Sequence, residues 1–223
     1  MHMRQAKELL NFLRVVGELK NIQRKGLTFY GVKNADSATD HTFRLALMVW
    51  VCGQKRKLDL VKAFKLALVH DLCKVYTGDI TPYDGLFPRG KRRNHYGLAW
   101  RWRRLSLKEK ERKHKEKFQK EHRAMQRLIS KLPSHVQNDM TDIWLDYQNI
   151  KSPEAQFVFQ VDRVENLLEA FESFEKNKKV PTLPWWEHAD EAVHDKDLLD
   201  LMEEISKREL EISSMSTERS KRA

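Results

Sequence analysis

The sequence predicts an all-α fold, and three observations carry that prediction. Only 8 Gly and 6 Pro occur in 223 residues, while the strong helix formers Leu, Glu, Lys and Arg abound. Apolar residues recur at three- and four-residue spacing along most of the chain. Ser, Asp and Pro stand where those periodic stretches begin, and Gly stands where several of them end. No stretch reads convincingly as a strand and no internal repeat is visible.

The elements follow in order. Residues from about 4 to 20 read as a first helix, with Leu9, Leu10, Phe12, Leu13, Val16 and Leu19 on its inner side. The stretch LKNIQRKGL breaks at Gly26, and a loop over 30–37 follows, with Gly31, Asn34 and Asp36 as turn formers. Ser37, Thr39 and Asp40 are candidate caps for a second helix, which carries His41, Leu45, Met48, Val49 and Cys52 and ends at Gly53. Asp59 opens a third helix, predicted to run through His70 and Asp71 to about Tyr76. Gly78 closes it and leaves Asp79, Thr81 and Pro82 in a loop.

Residues from about 83 to 106 read as irregular and rich in Arg, Gly and Trp. A long polar helix follows, from about Ser106 to Lys131. Pro133 suits the first turn of the next helix, which carries Val136, Met140, Ile143, Trp144 and Tyr147. Ser152 and Pro153 repeat that start signal for a helix to about Lys176. It holds Asp162 beside an inner stripe of Phe157, Val161, Val164, Leu168 and Phe171. VPTLPWWEH reads as a loop before a last helix over about 195–212, and the tail SSMSTERSKRA as disordered. The expected organisation is one domain over 1–212, with a basic insertion at about 85–106 and a tail over 213–223.

Composition narrows the class further. With 40% hydrophobic and 33% charged residues, the chain suits one globular domain with a sizeable core. Cys52 and Cys73 sit in apolar helical surroundings and offer no disulfide framework, so a reducing, cytoplasmic setting is expected. No apolar run approaches membrane-spanning length, and the N-terminus reads as a helix, not a signal peptide. The net charge of +10 is concentrated: residues 89–123 hold 15 Lys/Arg against 4 Asp/Glu, leaving 27 against 28 elsewhere. Basicity is therefore a property of one segment.

The stretch LALVHDLCKVYTGDITP, residues 66–82, sets His70 and Asp71 inside an apolar helical run. A buried carboxylate is costly unless something pairs with it, and the nearest cation in sequence is Lys74. A metal ion would neutralise Asp71 and use His70 together. A satisfied core His beside a capped Asp explains an isolated pair equally well. His41 and Asp162 change the balance, because each also lies in a mostly apolar helix. Helix bundles build metal sites from such inward-facing polar side chains. Successive helical residues differ by about 100°, so His70 and Asp71 share an ion only at the flank between them. Two imidazoles and two carboxylates leave room for water and substrate, and suit Mn, Co, Fe, Ni or Zn better than Ca.

In this order and spacing, His41, His70-Asp71 and Asp162 resemble the H…HD…D pattern of HD-domain metal-dependent phosphohydrolases. The likeness is greatest to the 5′-deoxynucleotidase-like branch. The segments LKNIQRKGL, ADSATDHTFRLALM, LVHDLCKVYTGDITP and KSPEAQFVFQVDRVENLLEAFE carry it, spanning most of residues 10–175. The resemblance implies an HD-type helical bundle and one divalent ion held by His41, His70, Asp71 and Asp162. It also implies release of phosphate from (deoxy)nucleoside 5′-monophosphates, and a homodimer. By position, Arg24 would grip the substrate phosphate, and Asp79 would contact the sugar or position the catalytic water.

The chain departs from that pattern in three places. Lys74 replaces the Glu common three residues after the HD Asp, although HD-x-x-K occurs elsewhere in the superfamily, phosphodiesterases included. Lys74 lies one turn from His70, as a catalytic residue or as a charge partner of Asp71. Leu27, not an aromatic, follows Gly26. The third departure is the insertion at about 85–106. Alternative functions are an HD-type phosphodiesterase, a nucleoside-triphosphate or alarmone hydrolase, and a non-catalytic nucleotide- or nucleic-acid-binding HD protein.

The segment 89–104 interleaves Arg92, Arg93, Arg101, Arg103 and Arg104 with Tyr96, Trp100 and Trp102, a composition compatible with nucleic acid. A lid attracting anionic substrates is the favoured reading. Tyr83, Trp100 and Trp102 are expected to pack, and His95, His114, His122 and His135 to be solvated.

Overall fold

The computed structural model describes residues 3–81, 84 and 105–222. The predicted insertion over 85–104, with its arginines and tryptophans, lies outside the described residues, as do Tyr83 and His95. The described residues form an α-helical bundle whose only β feature is an isolated bridge between Gln23 and Ser37.

Helix α1 (Met3–Val16) continues into a 3-10 turn (Gly17–Asn21), and α2 (Lys25–Thr28) is a single short turn. The first helix does not bury the face the sequence predicts. Leu9, Leu10 and Leu13 are exposed, while Phe12, Val15 and Val16 pack inward and Leu19 is buried. The reason is sparse packing: among the described residues, α1 meets chiefly its own 3-10 turn and α6.

Helix α3 (Ala38–Gly53) begins at Ser37, whose hydroxyl caps the Asp40 N–H while the Asp40 carboxylate accepts from the Ser37 N–H. This reciprocal cap satisfies two otherwise orphaned donors. Asp59 caps α4 (Leu60–Val69) from one side: its carboxylate accepts from the Lys62 N–H, while its own N–H donates to Glu154. The α4 helix stops short of the predicted end. From His70 the backbone tightens to three-residue hydrogen bonds, Leu72 to Val69 and Lys74 to Asp71, before α5 (Lys74–Thr77). The His70 ring contributes, because its Nδ1–H donates to the Ala67 carbonyl at 2.8 Å, an acceptor that a continuing helix offers to the Asp71 N–H. Gly78, at φ 66°, ends α5 in a backbone region that side chains with a Cβ disfavour.

Helix α6 (Leu107–Ile129) opens with a Ser106–Glu109 capping box. It is solvated along its first half and buries Ala124, Met125, Leu128 and Ile129 along its second. Helix α7 (Ser134–Asn149) follows Pro133, and α8 (Pro153–Lys176) is capped by Ser152. The predicted loop VPTLPWWEH is instead largely helical. Pro184 sits in the first turn of α9 (Leu183–Ala192), where a missing N–H costs nothing, and the Thr182 carbonyl accepts from the Trp185 and Trp186 N–H groups. Helix α10 (Lys196–Arg222) passes its predicted end at Ile212 into the tail read as disordered; no Gly or Pro interrupts it.

Helix α8 is the hub of the bundle, contacting α3, α4, α7, α9 and α10. Ala155, Val158, Val161, Val164, Leu167 and Ala170 on it are fully buried. All but Ala170 meet Leu45 and Val49 of α3 and Leu66 and Ala67 of α4 in one core, while Ala170 packs with Leu27, Ala35 and Val180. Each such leucine contributes about 2 kcal/mol by leaving water. Asp162, Glu165 and Glu169 are buried on the same helix, and they belong to the site.

Candidate metal centre and active-site pocket

His41 enters the core from the first turns of α3 and is fully buried; His70 and Asp71 leave the end of α4; Asp162 faces them from α8. Hydrogen bonding orients both imidazoles. The Ala67 carbonyl can only accept, so His70 carries its proton on Nδ1. The Glu165 carboxylate likewise accepts from His41 Nδ1–H. Each Nδ1–H is thus engaged, and the two Nε2 atoms face one another across 3.2 Å, a contact that needs a proton or a metal ion between them.

The carboxylates complete the set. Asp162 Oδ1 lies 3.2 Å from His41 Nε2, and Asp71 Oδ2 lies 3.4 Å from His70 Nε2 and 4.0 Å from His41 Nε2. One ligand atom each from His41, His70 and Asp71 falls within a 4.8 Å cluster. Metal–ligand bonds of about 2.1 Å place neighbouring donors about 3 Å apart, so these separations suit a single divalent ion. Burial disfavours both carboxylates in their charged form, but the imidazoles, Lys74 beside Asp71 and Arg163 beside Asp162 outweigh it. Both carboxyls are held well below the usual range.

The four candidate ligands are legible in the sequence; the residues that support them are less so. Arg44, one turn after His41, donates from Nε to Glu165 at 2.9 Å and from Nη1 to Glu172 at 2.8 Å. Arg44 thus holds Glu165, which holds His41. Asn166 donates to Asp162 Oδ1 at 3.0 Å and accepts from Arg24 Nη2. The signal was available: Glu165, Asn166 and Glu169 follow Asp162 at three, four and seven residues, on one helical face. Tyr147 of α7 lays its ring 4.9 Å from that of His70.

Arg24, Lys74 and Asp79 all reach the centre. Arg24 is pinned by backbone bonds from Arg24 N–H to Asp36 and from Ala38 N–H to Ile22. Its Nη1 lies 3.5 Å from Asp71 and its Nε 3.8 Å from Glu169. Lys74 bridges Asp71 at 2.7 Å and Asp79 at 2.6 Å. Burial works against its charge, yet the two carboxylates prevail and its pKa is raised, so the amine stays protonated. Asp79 spends its second oxygen on the Lys25 N–H at 2.7 Å, which ties α5 to the Arg24 turn.

These groups line a cavity of about 330 Å³. Its ionic side holds the centre, Arg24, Lys74 and Asp79. His114 lines the cavity with Lys117 and Glu121 of α6 and is exposed, as expected, whereas His122, expected to be solvated, is half-buried and stacks between Phe118 and Trp144. Tyr30, Phe159 and Trp185 give the cavity aromatic lining as well.

Known proteins share this organisation. The HD domain family model matches residues 16–183. The 5′-deoxynucleotidase HDDC2 of Bos taurus is 34% identical over 169 residues, covering 76% of this chain and 69% of the relative. The human protein of that name is 32% identical, covering 75% and 69%. The yeast 5′-deoxynucleotidase YBR242W is 31% identical, covering 74% and 59%. Among solved structures, a Pyrococcus horikoshii protein superposes with a TM-score of 0.65 at 21% identity over 89% of this chain and 98% of its own. A protein of Magnetospirillum magnetotacticum described as a predicted metal-dependent phosphohydrolase gives 0.61 at 17% identity over 94% and 97%. With the H…HD…D residues gathered at one point and the family match spanning α3 to α8, the chain belongs to the HD domain family.

Proposed function

We propose that this protein is a metal-dependent phosphohydrolase that releases phosphate from deoxynucleoside 5′-monophosphates. One observation carries the reading. Two imidazoles with engaged Nδ1–H groups face one another through their Nε2 atoms, flanked by two carboxylates, with Arg24 and Lys74 beside them. A divalent ion of the Mn, Co, Fe, Ni or Zn class, held by His41, His70, Asp71 and Asp162, would acidify water and polarise a phosphoryl oxygen. Arg24 binds the phosphate through a guanidinium whose position Asn166 sets. Lys74, protonated, offsets charge developing on the phosphoryl oxygens and is a poor base. Asp79 positions Lys74 and the Arg24 turn. Relatives named as 5′-deoxynucleotidases support the substrate class.

The test is a phosphate-release screen over nucleotides, after chelation and with each metal restored. Deoxynucleoside 5′-monophosphates are hydrolysed and 3′-monophosphates are not. Turnover of triphosphates or cyclic dinucleotides alone would overturn the assignment.

The chain is also proposed to act as a cytoplasmic homodimer. Phe43, Leu47, Trp50 and Val51 of α3 and Val61 and Leu68 of α4 form an exposed apolar face, larger than scattered surface hydrophobics warrant. Trp50→Glu is expected to yield a monomer by light scattering. No described helix is long and apolar enough to cross a membrane.

A further inference from the structure

The aromatic lining of the cavity takes no part in holding metal or phosphate. Trp185, from α9, lies against the backbone of Gly26: a Cβ at that glycine would stand 3.3 Å from the Trp185 ring. Tyr30 meets Trp185 with ring centroids 5.6 Å apart at 55°. The Arg163 guanidinium, also in the lining, lies 4.5 Å over the Phe159 ring, a second flat surface. Trp185, Tyr30, Phe159 and Arg163 all line the cavity and all remain partly exposed. Trp185 stands beyond the residues matched by the family model, which end at 183.

Distance along the chain ties this wall to the phosphate. Arg24 and Gly26 are two residues apart, a backbone span of at most about 7 Å. A phosphate held by Arg24 therefore presents whatever it is esterified to within reach of the Trp185 face. The α6 residues in the lining, His114, Lys117 and Glu121, are polar, a poorer surface for the faces of a heteroaromatic ring.

We propose that Trp185, with Tyr30 beside it and with the Arg163–Phe159 pair in the same cavity, forms the subsite that receives the substrate's nucleobase by stacking. Selection for nucleotides over other phosphate monoesters then lies in α9. The inference rests on the nucleotidase reading and deepens it. Stacking is tolerant of base identity, because every base has a π-face, so this wall favours a base over none and discriminates weakly among bases.

The experiment compares wild type, Trp185→Leu and Trp185→Phe on dAMP and on deoxyribose 5-phosphate, which has no base. The expected result is that Trp185→Leu raises KM for dAMP about 10-fold. The ratio of kcat/KM between dAMP and the sugar phosphate collapses with it, and Trp185→Phe restores most of the ratio. An unchanged ratio in Trp185→Leu would overturn the proposal, and so would equal losses on both substrates, which mark a structural role. Binding is read separately by calorimetry with the 5′-methylenephosphonate analogue of dAMP, whose C–P bond resists hydrolysis. Weaker binding by Trp185→Leu than by wild type supports the subsite, and equal binding refutes it. Wild type without turnover on any monophosphate defeats the nucleotidase reading, while the calorimetric comparison still decides the role of Trp185.

Discussion

Lys74 and Asp71 form a buried ion pair of 2.7 Å at the edge of the metal centre, and Asp79 closes on the same ammonium from the other side at 2.6 Å. Removing the ammonium leaves two buried carboxylates without their shared partner. Lys74→Met is expected to lower kcat by about 100-fold with metal content unchanged. Lys74→Glu gathers a third carboxylate there, and its metal-free form should lose about 3–5 kcal/mol, a deficit that metal narrows. Denaturant melts with and without chelator measure this. Wild-type turnover in Lys74→Met would reduce the lysine to a packing residue.

Loss of a ligand should remove metal and activity together. His41→Ala and Asp71→Ala are expected to purify without stoichiometric metal, as read by elemental analysis. Chelation should lower the wild-type melting temperature, because an ion at 100 times its dissociation constant stabilises by about 2.7 kcal/mol. Full occupancy in either variant would break the assigned ligand set.

Glu165 acts one bond removed from the ion. Glu165→Gln keeps an acceptor for His41 Nδ1–H but loses the charge that makes the imidazole a stronger donor. Metal affinity should fall about 10- to 100-fold, read by titration into stripped protein, while the four ligands remain. An unchanged affinity would show that Arg44 and Glu165 serve packing alone.

Glu169 predicts a pH dependence. Burial, only partly offset by Arg24, lifts its carboxyl from 4.5 to about 7. Between those values the folded chain holds a proton that the unfolded chain releases, so stability falls as pH rises through this window. The penalty is complete above pH 7 and amounts to about 3 kcal/mol. Glu169→Gln removes it. The stability gained by the variant over wild type should be smallest near pH 4.5 and should grow up to about pH 7. A gain independent of pH would mean that Glu169 titrates normally.

Gly26 has no left-handed backbone to explain it; the Trp185 ring does. Gly26→Ala puts a methyl 3.3 Å from that ring, so the ring shifts by a few tenths of an ångström. If base stacking weakens by about 1 kcal/mol, KM for dAMP rises about 5-fold. Gly17→Ala, with nothing within 4 Å of the new methyl, is the matched control. Equal kinetics for both variants would detach Gly26 from substrate binding.

How much of this was legible depended on local pattern. Helices α3, α7 and α8 announce themselves through Ser37, Pro133 and Ser152, and the H…HD…D residues through polar groups in apolar runs. Helix α9 did not, because Pro184 and paired tryptophans imitate a loop when only local signals are weighed. Leu10 and Leu13 misled in the opposite sense: their spacing is helical, but no neighbour covers them. Glu165 and Asn166 were hidden because a charged residue in an amphipathic stretch reads as solvated until the facing helix is known. The cap at Asp59 was readable, whereas the break after Val69 was not, since it involves a bond from the His70 ring to its own helix.

The central place of α8 also dictates when this protein can become an enzyme during its own synthesis. His41 and Glu165 are 124 residues apart, and Arg24 and Asn166 are 142 apart. A nascent chain that has delivered α3 and α4 carries both histidines and the aspartate of the HD pair. It still lacks Asp162, the groups that orient His41 and Arg24, and the apolar surface that covers Leu45, Val49 and Leu66. Until α8 clears the ribosome, those side chains face water or another chain. Polypeptides halted before that point are expected to aggregate, and a metal ion is expected to bind only once α8 is made.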